Sequence, residues 1–252
     1  MMTMKALSTL VLVASIAAPA LAQEAGTSQG AANPALSAYM RDVVEGQLWK
    51  RTELGPRDRS LVTIAALIAR GYGASLDAEL ERALANGVKP AEISETVLHL
   101  AFYAGLGSAN NAAPAVERVF AARGISTDSL PSREVDFLSQ DVEGEAARVA
   151  AVAGLLGDAS PGLAEFTTEP LFSEIWLRPD LAPRDRSLVT ITSLIALGQT
   201  GQLAGHLNRA LNNGVTPAEA GEVVAHLAFY SGWPTAFSAG PVLRDVLDKR
   251  TE

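Results

Sequence analysis

The sequence predicts an all-α fold built from two tandem copies of one helical unit, and three observations carry that prediction. First, Arg57-Asp58-Arg59-Ser60-Leu61-Val62-Thr63-Ile64 recurs unchanged from Arg184 to Ile191, an offset of 127 residues (184 − 57). Second, the same offset carries Pro34 onto Pro161, Trp49 onto Trp176, Asn86-Gly87-Val88 onto Asn213-Gly214-Val215, and the segment His99 to Tyr103 onto His226 to Tyr230. No insertion is needed between Asn33 and Phe120. Third, proline, glycine and Asn-Gly punctuate apolar runs of helical length, and no alternating apolar–polar run bounded by hairpin turns occurs.

Taken in order, residues 1–22 have the make-up of a secretory signal peptide. Lys5 precedes an apolar small-residue run, Pro19 breaks it, and Ala20-Leu21-Ala22 is an A-x-A cleavage site. The run is too short and too interrupted for a membrane span, which needs roughly 18 or more apolar residues. For a Gram-negative source the mature chain is then expected in the periplasm. Residues 23–33 form a small, polar leader. The first repeat occupies 34–123, a Ser-, Pro- and acid-rich linker 124–140, and the second repeat 141–252.

Each repeat reads as five helices. Asn33-Pro34 and Ser160-Pro161 are N-cap plus first-turn pairs. Pro56 and Pro183 open second helices that reach about Ala69 and Leu197. Third helices start near Leu76 and Leu203 and stop at Asn86-Gly87 and Asn213-Gly214, where glycine accepts the left-handed conformation. Thr216-Pro217-Ala218-Glu219 is a capping box for the fourth helix, which ends at Gly105 or Gly232. Fifth helices are expected over about Ala113–Ala122 and Gly240–Lys249. Apolar residues on more than one face of the short helices call for partners on both sides, supplied by the other copy and by a second chain.

Composition narrows the function. A hydrophobic share of 48% with 19% charged residues fits a globular chain with a sizeable core, not a disordered one. The net charge of −8 argues against nucleic acid or an anionic membrane as partner. The sequence contains no cysteine, which excludes disulfides, thiolate nucleophiles and thiol redox chemistry.

Three motifs carry a family resemblance: Arg-Asp-Arg-Ser-Leu-Val-Thr-Ile; His206-x-x-Arg209-Ala210-Leu211-x-Asn213-Gly214-Val215; and Glu219-x-x-Glu222-x-x-x-His226 through Tyr230-x-Gly232-Trp233-Pro234. Together they resemble carboxymuconolactone decarboxylases, whose relatives are the alkylhydroperoxidase D-like proteins. The resemblance covers both copies. It implies a helical fold assembling as a ring of six units, so that a fused double unit forms a homotrimer. The peroxidase branch carries Cys-x-x-Cys before its histidine; here those positions are Gln199 and Gln202, and Tyr72 and Ser75 in the first copy. Thiol peroxidase activity is therefore excluded.

The chain has three histidines. His206, with Arg209 one turn later, stands at the family's functional histidine; its first-copy equivalent is Glu79, followed by Arg82. His99 and His226 each sit between a Glu four residues earlier (Glu95, Glu222) and a Tyr four residues later (Tyr103, Tyr230). On a helix that makes one stripe, either a proton relay or a hydrogen-bonded belt between the copies. Arg57, Arg59, Arg184 and Arg186 form either a capping ion-pair cluster or an anion site.

The resemblance implies a carboxy-lyase acting on a small carboxylated lactone or related carboxylate. In that reaction the conjugated carbonyl serves as the electron sink, so no cofactor and no metal is called for. The expected site lies in the second copy: His206 as general acid/base, Arg209 as carboxylate clamp, Glu222 and His226 as orienting groups, Tyr230 and Trp233 as walls. Isomerisation or lactone opening on the same fold, or a non-catalytic periplasmic binding or scaffold oligomer, are the alternatives.

Overall fold

The computed structural model describes residues 32–251. The expected signal peptide and most of the leader lie outside the described residues. Among the described residues the chain is helical with no strand, in eleven α-helices joined by short 3-10 and π turns.

Residues up to Gln47 form one compact unit and Leu48 onward another. In the first, α1 (Pro34–Tyr39) starts on Asn33, whose Oδ1 accepts from the Leu36 N–H at 3.0 Å, and runs into a π turn at Met40–Glu45. The second unit holds α2 (Pro56–Ala69), α3 (Leu76–Ala85), α4 (Pro90–Tyr103) and α5 (Leu106–Ala122) of the first copy. After the linker come α6 (Val142–Leu156), α7 (Pro161–Phe166), α8 (Pro183–Ala196), α9 (Thr200–Asn212), α10 (Pro217–Ser231) and α11 (Trp233–Thr251).

Helices α2 and α8 are the centre. Every residue from Arg59 to Ala69 and from Asp185 to Ala196 is buried, so neither helix has a solvent face. They pack on each other, and each is crossed by the fourth helix of the other copy, α10 on α2 and α4 on α8. Each also packs on its own copy's fourth helix, so α4 and α10 both bridge the α2–α8 pair and give it partners on both faces. Leu61, Ile64, Ile68, Leu188, Ile191 and Leu194 belong to the single core that results.

Two boundaries differ from expectation. The fifth helices start at Leu106 and Trp233 rather than near Ala113 and Gly240, and run through Pro114 and Pro241. Gly105 and Gly232 turn the chain at φ +90 and +97, so the next helix begins at once, and the internal prolines do not end it. Helix α6 was not anticipated. Asp141 caps it, its Oδ1 accepting from the Gly144 N–H at 3.1 Å, but the helix buries no residue and so carries no clear apolar stripe. Ser160, unlike Asn33, makes no side-chain cap bond.

The arginines at the starts of α2 and α8 interlock the copies. Arg57 pairs with Asp185 (2.7 Å) and Glu92 (2.8 Å), and Arg184 pairs reciprocally with Asp58 (2.7 Å) and Glu219 (2.6 Å). Burial disfavours the Arg57 and Arg184 cations, but these carboxylates outweigh it and raise both. The cluster is a structural one, and its ion pairs run between copies as well as within them.

Candidate active site

Two pseudo-symmetric polar clusters flank the α2–α8 pair. In the first, Arg59 is fully buried and its Nη2 donates to Glu222 Oε1 (2.9 Å) and to the carbonyl oxygens of Arg51 and Leu54. Arg51 Nε binds the same carboxylate at 2.8 Å. The second repeats this with Arg186, Glu95, Arg178 and the carbonyls of Arg178 and Leu181.

The histidines of these clusters are locked. Arg59 Nη1 faces His226 Nδ1 at 3.2 Å; because a guanidinium can only donate, Nδ1 accepts. His226 Nε2 then carries the proton and donates to Thr63 Oγ1 (2.7 Å), which donates onward to the Arg59 carbonyl (2.8 Å). His99 is fixed the same way between Arg186 (3.4 Å) and Thr190 (2.7 Å). Burial, then the neighbouring arginines, pull His226 down to about 3, and burial followed by Arg186 and His206 holds His99 well below its ordinary value. The Glu–His–Tyr stripe is thus a belt of neutral imidazoles between the copies.

What differs between the clusters is the third-helix residue beside each. In the first copy Glu79 lies 3.5 Å from Arg82, whose guanidinium stacks 4.4 Å over Trp49. In the second the equivalents are His206 and Arg209. His206 meets the Tyr103 ring edge-on (centroids 5.3 Å apart) and lies nearly parallel to Trp176 (6.1 Å, 13°). Its Nδ1 is buried with no partner among the described residues. Burial, then Arg209, lower His206 to about 4, so it is neutral near pH 7. Arg209 stacks at 4.9 Å over both Phe172 and Trp176, with no carboxylate at ion-pairing distance among the described residues. Burial lowers its pKa, yet a guanidinium stays charged near neutral pH. The Tyr103 hydroxyl accepts from Trp176 Nε1 at 2.9 Å, and burial raises its pKa, so it remains a donor. A cavity of about 430 Å³ opens beside Arg209, Trp176, Phe172 and Asn208, walled by residues between Leu138 and Glu145.

The six expected site residues are therefore not one constellation. His206 and Arg209 stand together. Glu222, His226 and Tyr230 belong to the other cluster, Tyr230 accepting from Trp49 Nε1 at 3.0 Å. Trp233 is half exposed and packs on Phe229 in an apolar groove of about 580 Å³ on α10 and α11. The physical reason is that the fourth helices pack across the copies as well as within them: the ring that meets α9's histidine is Tyr103 from α4, while Tyr230 of α10 pairs with Trp49. Arg51 and Arg178 went unnoticed although the 127-residue offset relates them (178 − 51). Phe172 stands where the first copy has Glu45, and Arg148 and the wall from Leu138 lie outside both matched repeats, so the offset flags none of them.

Comparison with known proteins agrees with the duplicated architecture. Residues 34–118 and again 161–245 match the model of the carboxymuconolactone decarboxylase family. Over 91 residues the chain is 37% identical to a 4-carboxymuconolactone decarboxylase from Acinetobacter baylyi, covering 36% of this chain and 68% of that protein. Over 89 residues it is 37% identical to a nitrosuccinic acid decarboxylase from Metarhizium robertsii, covering 34% of this chain and 62% of that protein.

Proposed function

Since the chain belongs to the carboxymuconolactone decarboxylase family, we propose that it is a carboxy-lyase for a small carboxylated lactone or related carboxylate. Its site is the His206–Arg209–Tyr103 group, built across the two copies. The observation that carries this reading is Arg209: a half-buried cation lining the cavity, stacked on two aromatic rings with no carboxylate at ion-pairing distance among the described residues. A substrate carboxylate is the complement it lacks.

In the proposed reaction Arg209 holds a carboxylate. The bond to the departing CO2 breaks and its electron pair moves into the conjugated carbonyl. Tyr103, protonated and already fixed by Trp176, donates its O–H to the enolate oxygen that forms. Burial and Arg209 keep His206 neutral near pH 7. A bound anion offsets the burial and Arg209 effects that hold it down, so it can take a proton from water and deliver it to carbon.

The proposal extends to assembly and location. The groove on α10 and α11 exposes Phe229, Trp233 and Phe237, with Arg244 at its edge. The matching first-copy face exposes Phe102 and Leu106 and carries Glu117 where the second has Arg244. Second-copy face on first-copy face gives a homotrimer, and the signal peptide over residues 1–22 directs the chain to the periplasm of a Gram-negative source. Purified protein mixed with 4-carboxymuconolactone and followed for CO2 release tests the activity; a folded protein that releases none refutes this substrate.

A further inference from the structure

The two copies build the same frame of tryptophan, tyrosine and arginine. In the first, Trp49 Nε1 donates to the Tyr230 hydroxyl at 3.0 Å, and the Arg82 guanidinium lies 4.4 Å over the Trp49 ring. In the second, Trp176 Nε1 donates to the Tyr103 hydroxyl at 2.9 Å, and Arg209 lies 4.9 Å over the Trp176 ring. A neutral histidine stacks on each tyrosine, His226 on Tyr230 at 4.5 Å and His99 on Tyr103 at 4.7 Å. Each arginine stands three residues after the position where the third helices differ, Glu79 against His206, which the 127-residue offset relates (206 − 79).

That one position changes the charge of the frame. Glu79 Oε2 lies 3.5 Å from Arg82 Nε, one turn apart on the same face of α3. Arg209 has no carboxylate at ion-pairing distance among the described residues. The side chains of Glu79 and Arg82 are 17% and 32% exposed, so solvent, and with it a dissolved ligand, reaches the pair. A carboxylate beside a guanidinium supplies the charge that an anionic ligand would bring, and it meets an incoming anion with like charge.

We propose that Glu79 is a built-in carboxylate that closes the first copy's arginine to anionic ligands. Each chain then has one carboxylate site, at Arg209, although it contains two equivalent frames. Glu79 decides which of the two takes substrate, and removing its charge opens a second site without adding any cation. The inference rests on the carboxylate-binding reading of Arg209 given above.

Calorimetric titration with furan-2-carboxylate, a flat five-membered ring bearing one carboxylate, tests the assignment on variants of the full chain. Glutamine keeps the size of Glu79 and its hydrogen-bonding capacity while removing the charge. The unmodified chain should bind one equivalent. Arg209→Met should weaken that binding by roughly 10- to 100-fold, and Arg82→Met should leave it unchanged. Glu79→Gln should bind a second equivalent. Combined with Arg209→Met it should regain roughly tenfold or more in affinity over Arg209→Met alone, and combined with Arg82→Met it should return to one equivalent. Glu79→Ala with Arg209→Met repeats the test with the whole carboxylate removed. Weakened binding in Arg82→Met alone overturns the proposal, because the first copy's arginine would then already be open. No gain from either Glu79 substitution in the Arg209→Met background overturns it as well. If the unmodified chain binds no furan-2-carboxylate, or Arg209→Met binds it undiminished, the carboxylate reading itself falls and this assignment with it.

Discussion

Acidification from pH 7 to 5.5 should strip this protein of a large part of its stability, because its three histidines are buried neutral. Unfolded, each takes a proton near pH 6.5. Folded, His206 resists until about 4, His226 until about 3, and His99 stays well below its ordinary value. The sign follows from proton counting. Between pH 6.5 and about 4 the unfolded chain binds more protons, so stability is fully present above 6.5 and falls as pH drops towards the folded values. For one histidine the loss from pH 7 to 5.5 is about 1.2 kcal/mol, hence roughly 4 kcal/mol for three, a large share of a typical 5–15 kcal/mol. Ordinary carboxylates, near 4, contribute little in that interval. Urea unfolding followed by tryptophan fluorescence is suited to the measurement, since Trp49 and Trp176 lie against His226 and His99. Stability that is unchanged between pH 7 and 5.5 would refute the neutral-belt assignment. So would a histidine of the folded protein titrating at 6.5 in an NMR experiment.

Three further outcomes follow from the same geometry. Glu95→Ala strands the fully buried Arg186 without its carboxylate and should cost about 3–5 kcal/mol in denaturant unfolding, against less than 1 kcal/mol for removing the exposed Asp245 that pairs with Lys249. Arg209→Met should lower kcat/KM for the carboxylate substrate by roughly 10- to 100-fold, with the far-ultraviolet circular dichroism spectrum unchanged. Phe229→Glu places a charge in the apolar groove and should convert the proposed trimer to single chains in light-scattering chromatography; an unchanged mass would put the interface elsewhere.

The sequence made much of the architecture legible and less of the site. An offset repeat and prolines at helix starts are local signals, and Pro56, Pro183 and Pro217 stand at the first residues of α2, α8 and α10. The burial of α2 and α8 was legible in apolar residues on more than one face. How the copies interlock is not local. Arg59 finds Glu222 across 163 residues, and Arg186 finds Glu95 across 91. Residue spacing sets Glu222, His226 and Tyr230 in one stripe of α10 but does not say which copy's third helix that stripe meets, and Tyr103 of α4 is the ring found against His206. Helix α6 was hidden for another reason: Val142, Val149 and Leu155 are exposed, so its apolar residues mark no buried face.

The central claim is that the chemistry sits beside His206 and uses the first copy's tyrosine. Release of CO2 from 4-carboxymuconolactone by His206→Asn, Tyr103→Phe and Tyr230→Phe proteins tests it most directly. Tyr103 and Tyr230 are equivalent under the 127-residue offset and each accepts from a tryptophan Nε1, so the two phenylalanine variants lose the same contact. The account predicts that His206→Asn and Tyr103→Phe lose turnover while Tyr230→Phe retains it. Full turnover in His206→Asn, or loss confined to Tyr230→Phe, would contradict it.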